Sequence, residues 1–196
     1  FILINCNKDF NDISINKNIK LKKGLNKIKM EVEIKNPLWW CPNGMGDHEV
    51  YDFIIRLSSS KKNKNYDSEY YCRHAFCDIK LIKEKDANGE SFYFTVNGKP
   101  TYLKGFNIIP SFHIEEFSIN QDKLRKILWE LDDLNCNAIR VWGGGNYLSN
   151  DELNTLLDLG IIVWQDFMFA GGMYPGDSAF MKNVEEEITY QVKRMR

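Results

Sequence analysis

The run RVWGGGNY, Arg140 to Tyr147, brings an arginine, a tryptophan and three successive glycines together. Further along, WQDF supplies Trp164 and Asp166, and Asn107 ends the earlier segment GFN. Side chains alternate along a strand, so Arg140 and Trp142 share one face, as do Trp164 and Asp166. An aromatic face suits the apolar C–H side of a sugar ring, while carboxylates and guanidinium groups suit its hydroxyls. An arginine within a strand is costly to bury unless acids pair with it, so Arg140 implies a carboxylate-rich pocket. The glycines Gly143 to Gly145 allow a sharp turn and a close approach. Two other readings stay open on spacing alone. One is a phosphate cradle, although no Lys or Ser/Thr follows as in a P-loop and the spacing is not the dinucleotide fingerprint. The other is a plain strand-to-helix turn with Trp142 packed in a core.

These residues need strands whose C-terminal ends open on a common face. From Ser91 onward the pattern is strand, helix, strand, helix. SFYFTV and KPTYLKG flank Asn97-Gly98, a dipeptide suited to a tight type I′ turn, and TYLKGFN reads as the first strand of the alternating series. Leu124, Ile127, Leu128, Leu131 and Leu134 fall on one helical face, with Ser118 and Gln121 as a capping box. NAIRVW is the second strand. Ser149 and Glu152 cap a helix bearing Leu153, Leu156 and Leu157, which Gly160 stops. IIVWQDF is a third strand, apolar enough to be buried on both sides, and from Asp177 a helix aligns Phe180, Val184, Ile188 and Val192. Three βα units imply a parallel sheet, open or closed into a barrel. A closed eight-unit barrel takes about 250 residues, so this stretch would supply only its beginning.

The earlier half reads differently. NKIKMEVEI from Asn26 to Ile34, VYDFIIRL and FCDIKLI are candidate strands separated by turn signals, as in an antiparallel sandwich. Ser58 to Ser68 reads as a polar surface loop. The composition shift at KEKDANGE places a domain boundary near residue 88, giving units 1–88 and 89–196. The chain starts FILINC, which reads as mid-strand and predicts a piece cut at its front.

Composition excludes several functions. The 196 residues carry a net charge of −1 with scattered Lys and Arg, which offers no footprint for nucleic acid or an anionic membrane. No apolar run approaches the roughly 20 residues of a membrane-spanning helix. Five cysteines at irregular spacing form no C-x-x-C pair, and three dispersed histidines lack ligand-spaced neighbours, so neither a disulfide framework, a metal site nor a cofactor is expected. Glu185 to Glu187 lie mid-helix and read as a solvated face.

NAIRVWGGGNY followed by an acidic helix and LGIIVWQDFMFAGGMYP resembles the β-mannosidase branch of glycoside hydrolase family two. NPLWWCPNG, EVYDF, SFYFTVNGKPTYLKGFN and the terminal QVKRMR extend the resemblance, in the family's order, over most of the chain after Leu21. It implies the end of an immunoglobulin-like β-sandwich followed by the first three βα units of a TIM (β/α)8 barrel. It also implies hydrolysis of terminal non-reducing β-D-mannose with retention, by an acid/base Glu and a nucleophilic Glu roughly 5 Å apart. Both glutamates would lie beyond Arg196, so no catalytic residue is expected here and the fragment should be inactive. By the same resemblance Arg140 would sit near the nucleophile, Trp142 would wall the mannose pocket, Asp166 would accept sugar hydroxyls and Asn107 would join the rim. The expected partner is a β-mannoside glycan. Eukaryotic members imply a lysosomal or secreted compartment, which the residues themselves leave open.

Three departures from the family pattern stand out: Ala75-Phe76-Cys77 in place of Gly-Phe-Arg, Ile108 in place of a Trp, and Cys41 inserted between Trp40 and Pro42. The first puts the docking of sandwich on barrel in question, and the second removes a rim aromatic. A β-glucosaminidase, a β-galactosidase or a non-catalytic carbohydrate-binding descendant remain the alternatives.

Overall fold

A computed structural model of the chain describes residues 2–7, 13–59, 66–109, 126, 128–131 and 133–195. Within them the chain is mostly strand, with helices confined to its second half. The first sheet is antiparallel, β1 (Ile2–Asn7) lying between β2 (Ile13–Lys17) and β3 (Tyr51–Leu57), with β4 (Ser68–His74) beyond β3. Ile4, Cys6 and Tyr51 are buried along this sheet. The predicted strand over Asn26–Ile34 does not form. Met30, Val32 and Ile34 are half-buried while Lys29, Glu31 and Glu33 are exposed, so the alternation is real. No neighbouring ladder takes its backbone groups among the described residues, and alternation without a partner does not make a strand. The Ser58–Ser68 loop prediction falls largely on residues outside those described.

A second antiparallel sheet joins β5 (Ile79–Ile82), β8 (Tyr93–Val96) and β9 (Lys99–Thr101) in that order, and a two-residue hairpin of β6 (Lys85–Asp86) and β7 (Gly89–Glu90) projects between β5 and β8. FCDIKLI therefore pairs only over its last four residues. The turn at Asn97-Gly98 forms as predicted, with φ of 50° and 77°, the left-handed pair a type I′ hairpin needs. Asn97 does more than turn. Its side chain accepts the Asp78 N–H at 2.9 Å and donates to the Trp40 carbonyl at 2.9 Å.

The third sheet is parallel: β10 (Gly105–Ile108), β11 (Ala138–Val141) and β12 (Ile162–Gln165). TYLKGFN is thus not one strand but the end of β9 and the start of β10, broken at residues 102–104. On the helix side of β11, Ile139 and Val141 are buried with Leu128, Leu131, Leu148, Leu156, Leu159 and Ile161, each such side chain contributing about 1.5–3 kcal/mol. Leu134, expected on the buried helical face, is exposed at the helix end. Ser118, Gln121, Leu124 and Ile127 lie outside the described residues. Helix α1 (Asn150–Asp158) starts as its sequence predicts: Ser149 caps the Glu152 N–H at 3.3 Å and Glu152 returns to the Ser149 N–H at 2.7 Å. Helix α2 (Ser178–Met195) half-buries Phe180, Val184 and Ile188 and leaves Val192 exposed.

The two halves dock through Trp40. Its indole N–H donates to the Leu157 carbonyl at 2.9 Å, and its ring is buried with Val96, Ala138 and Ile162 near the N-terminal ends of the parallel strands. Arg73 adds a two-pronged ion pair to Asp158 at 2.9 and 2.7 Å while touching Asp52 at 3.2 Å. Cys77 itself packs against the Trp40 cluster, where burial pushes its thiol pKa up to about 11.

Candidate active site face

Parallel pairing fixes the register Asn107, Arg140, Trp164 across the three strands, so their side chains point to the same face. That face is opposite the helix-covered one. The Ala138 and Ile162 end of it is closed by Trp40 and Val96, and above them Phe94 meets the Trp164 ring edge-on at 5.8 Å. Towards the C-terminal ends of the strands the face becomes polar.

There Arg140 donates from Nε to Asp166 Oδ1 at 3.1 Å and from Nη2 to Asp166 Oδ2 at 2.5 Å, a bidentate pair. Its Nη1 donates to the Asn107 side-chain oxygen Oδ1 at 3.3 Å. Asp166 also accepts the Gly143 N–H at 3.3 Å. The residues named from the sequence at three separate strand ends are thus one hydrogen-bonded network. One expectation changes. Arg140 is not buried: its side chain is 42% exposed, and Asp166, at 20%, is the more enclosed partner. The acid that pairs with it comes from the neighbouring strand end, so the arginine does not by itself require a pocket of further carboxylates. Trp164, expected in a strand buried on both sides, is 44% exposed.

Trp142 is not a core residue, being 37% exposed. Its indole lies over the next turn, so closely that a Cβ on Gly144 would fall 2.0 Å from the ring. Gly143 is pressed against the other loop: a Cβ there would meet the Phe167 carbonyl oxygen at 2.3 Å and that of Phe169 at 2.8 Å. Only glycine allows that approach, which also brings its N–H to Asp166. Ile108, which stands where the family resemblance puts a rim aromatic, packs against the helix-side core.

The sequence reading missed two residues. Tyr147 donates its hydroxyl proton to Glu187 Oε1 at 2.8 Å, linking the glycine loop to α2, whereas Glu185 and Glu186 face solvent. Burial, together with the Glu187 carboxylate, pushes the Tyr147 pKa up to about 12. Local spacing carried no signal of this contact, because its partners lie 40 positions apart. Arg194 closes the same side, donating to Asn150 Oδ1 and the Leu148 carbonyl, each at 2.8 Å. No group of three or more potential metal-ligand side chains gathers among the described residues, and no helix among them is long and apolar enough to cross a membrane.

No family model matches the chain. The β-mannosidase of Mus musculus is 39% identical over 189 residues, which cover 95% of this chain and 21% of that protein. Among solved structures, the β-D-mannosidase from Dictyoglomus thermophilum matches 100% of this chain and 24% of its own, with a TM-score of 0.81 and 31% identity. A β-glucuronidase from Parabacteroides merdae matches 99% of this chain and 21% of its own at a TM-score of 0.64 and 19% identity, a likeness of fold alone. Strands of both kinds, with a charged and aromatic cluster at parallel strand ends, thus accompany a likeness to solved glycosidase structures. Over nearly its whole length the chain is homologous to β-mannosidases, and it spans about a fifth of the length of the curated relative it matches.

Proposed function

We propose that this chain is the terminal-sugar-binding part of a retaining exo-glycosidase that removes β-linked mannose from the non-reducing end of a glycan. The network joining Arg140, Asp166 and Asn107 across three strand ends supports the reading best. In it, residues 1–88 are the end of an immunoglobulin-like β-sandwich, and residues 89–196 open a TIM barrel whose later strands carry the acid/base and nucleophilic glutamates. The active face of such a barrel lies at the C-terminal strand ends, where this network sits.

The residues suit their roles. Asp166 Oδ1 accepts only the Arg140 Nε–H within the network, which leaves a lone pair for a sugar hydroxyl. Arg140 spends three of its five N–H groups on Asp166 and Asn107, and the remaining two, one on each terminal nitrogen, can hold a nucleophilic carboxylate ionised. Trp142 offers an exposed ring as a wall for the C–H face of the sugar. The two glutamates, roughly 5–5.5 Å apart in a retaining enzyme, would then protonate the leaving oxygen and attack the anomeric carbon.

A panel of aryl glycosides tests the proposal on the complete polypeptide. The β-mannoside should be the preferred substrate, and its first-formed product should keep the β configuration by NMR. Preference for a β-glucosaminide or β-galactoside would redirect the specificity, and sugar binding without turnover would replace the enzyme by a carbohydrate-binding descendant.

A further inference from the structure

The glycine loop after β11 is fastened at two places, once to the loop after β12. Near their origin, Gly143 gives its N–H to Asp166 and rests on the carbonyls of Phe167 and Phe169. At the far end stands Tyr147, half-buried, whose hydroxyl reaches the Glu187 carboxylate on α2 at 2.8 Å and lies near the main chain of Met168. That hydroxyl therefore joins its own loop to α2 and stands beside the loop that carries Asp166. Trp142, immediately before the first fastening, is folded over Gly144.

We infer that Tyr147 is a positioning residue, its hydroxyl anchoring to Glu187 the glycine loop that Gly143 fastens to the Asp166 loop, so that Trp142 and Asp166 keep the spacing that receives the terminal sugar. The inference rests on the functional reading above, and it concerns sugar binding and not the chemical step. A fixed wall lowers the cost of ordering the site when the sugar arrives. Removing the hydroxyl should therefore weaken binding and leave the chemistry near its original rate. Neither Tyr147 nor Glu187 needs to touch the substrate.

The test compares wild type with Tyr147→Phe, Glu187→Ala, Glu187→Gln and the Tyr147→Phe/Glu187→Ala double variant in the complete polypeptide. KM and kcat on an aryl β-mannoside are measured alongside amide hydrogen exchange in segments 143–148 and 167–169. Tyr147→Phe and Glu187→Ala should each raise KM about fivefold, as the loss of one such hydrogen bond implies, with kcat within about twofold. The double variant should be no worse than Tyr147→Phe. Glu187→Gln keeps an oxygen that accepts the same proton and should recover most of the KM. Exchange should quicken in both segments in Tyr147→Phe while the β1 to β4 sheet stays unchanged. Unchanged exchange, an unchanged KM, a loss confined to kcat, or Glu187→Gln as impaired as Glu187→Ala would each overturn the inference. A wild-type polypeptide inactive on β-mannosides would sink the functional reading, and the exchange data would then decide the positioning role alone.

Discussion

At the scale of single residues, the structure divides the strand-end cluster into a charged pair and its supports. Asp166 is the hub, accepting both prongs of Arg140 and the Gly143 N–H. Replacing it by Asn keeps the shape but removes the charge, so Arg140 loses its ion pair and the sugar loses a charged acceptor. Asp166→Asn should lower kcat/KM on an aryl β-mannoside by roughly 10- to 100-fold, the cost of one or two charge-assisted hydrogen bonds, as steady-state kinetics would show. Cys77 carries a second prediction. Its thiol pKa is pushed up to about 11, above the usual thiol value, so below that pH the group stays protonated and weakly nucleophilic. Mass spectrometry after iodoacetamide treatment at pH 8 should find Cys77 unlabelled in the folded protein and labelled in urea.

At the scale of elements, what the sequence could announce was whatever is decided within a few residues. The Ser149 and Glu152 capping box and the Asn97-Gly98 turn are local devices, and both formed where their residues stand. The strand expected over Asn26–Ile34 depended on a partner that periodicity cannot supply, and no ladder forms there. Tyr147 with Glu187, and Arg73 with Asp158, were invisible for the same reason, lying 40 and 85 positions apart. Strand-end residues Arg140, Asp166 and Asn107 were legible because βα grammar names which ends of the strands converge, although not that Asp166 itself would satisfy Arg140. The capping box gives this scale its prediction. Ser149→Ala strands the Glu152 N–H at the start of α1 and should lower the unfolding free energy by about 1 kcal/mol, read from the midpoint of a urea titration.

At the scale of the whole molecule, one tryptophan joins two architectures. Trp40, 4% exposed, packs against Val96, Ala138 and Ile162 at the end of the parallel sheet remote from Arg140 and Asp166, and its indole is tied to the last turn of α1. The antiparallel half thus packs against the base of the parallel sheet, at the end opposite the network. Trp40→Ala should cost about 3–5 kcal/mol, a large-to-small loss in a closed core, and calorimetry should show a lowered melting temperature. On the proposed function, the chain carries the face that binds the terminal sugar, while the carboxylates that cleave it lie elsewhere in the complete polypeptide. Hydrolysis of an aryl β-mannoside, measured side by side for the 196-residue chain and the complete polypeptide, tests this most directly. Turnover is expected from the complete polypeptide and none from the chain alone; appreciable release of mannose by the isolated 196 residues would contradict the proposal.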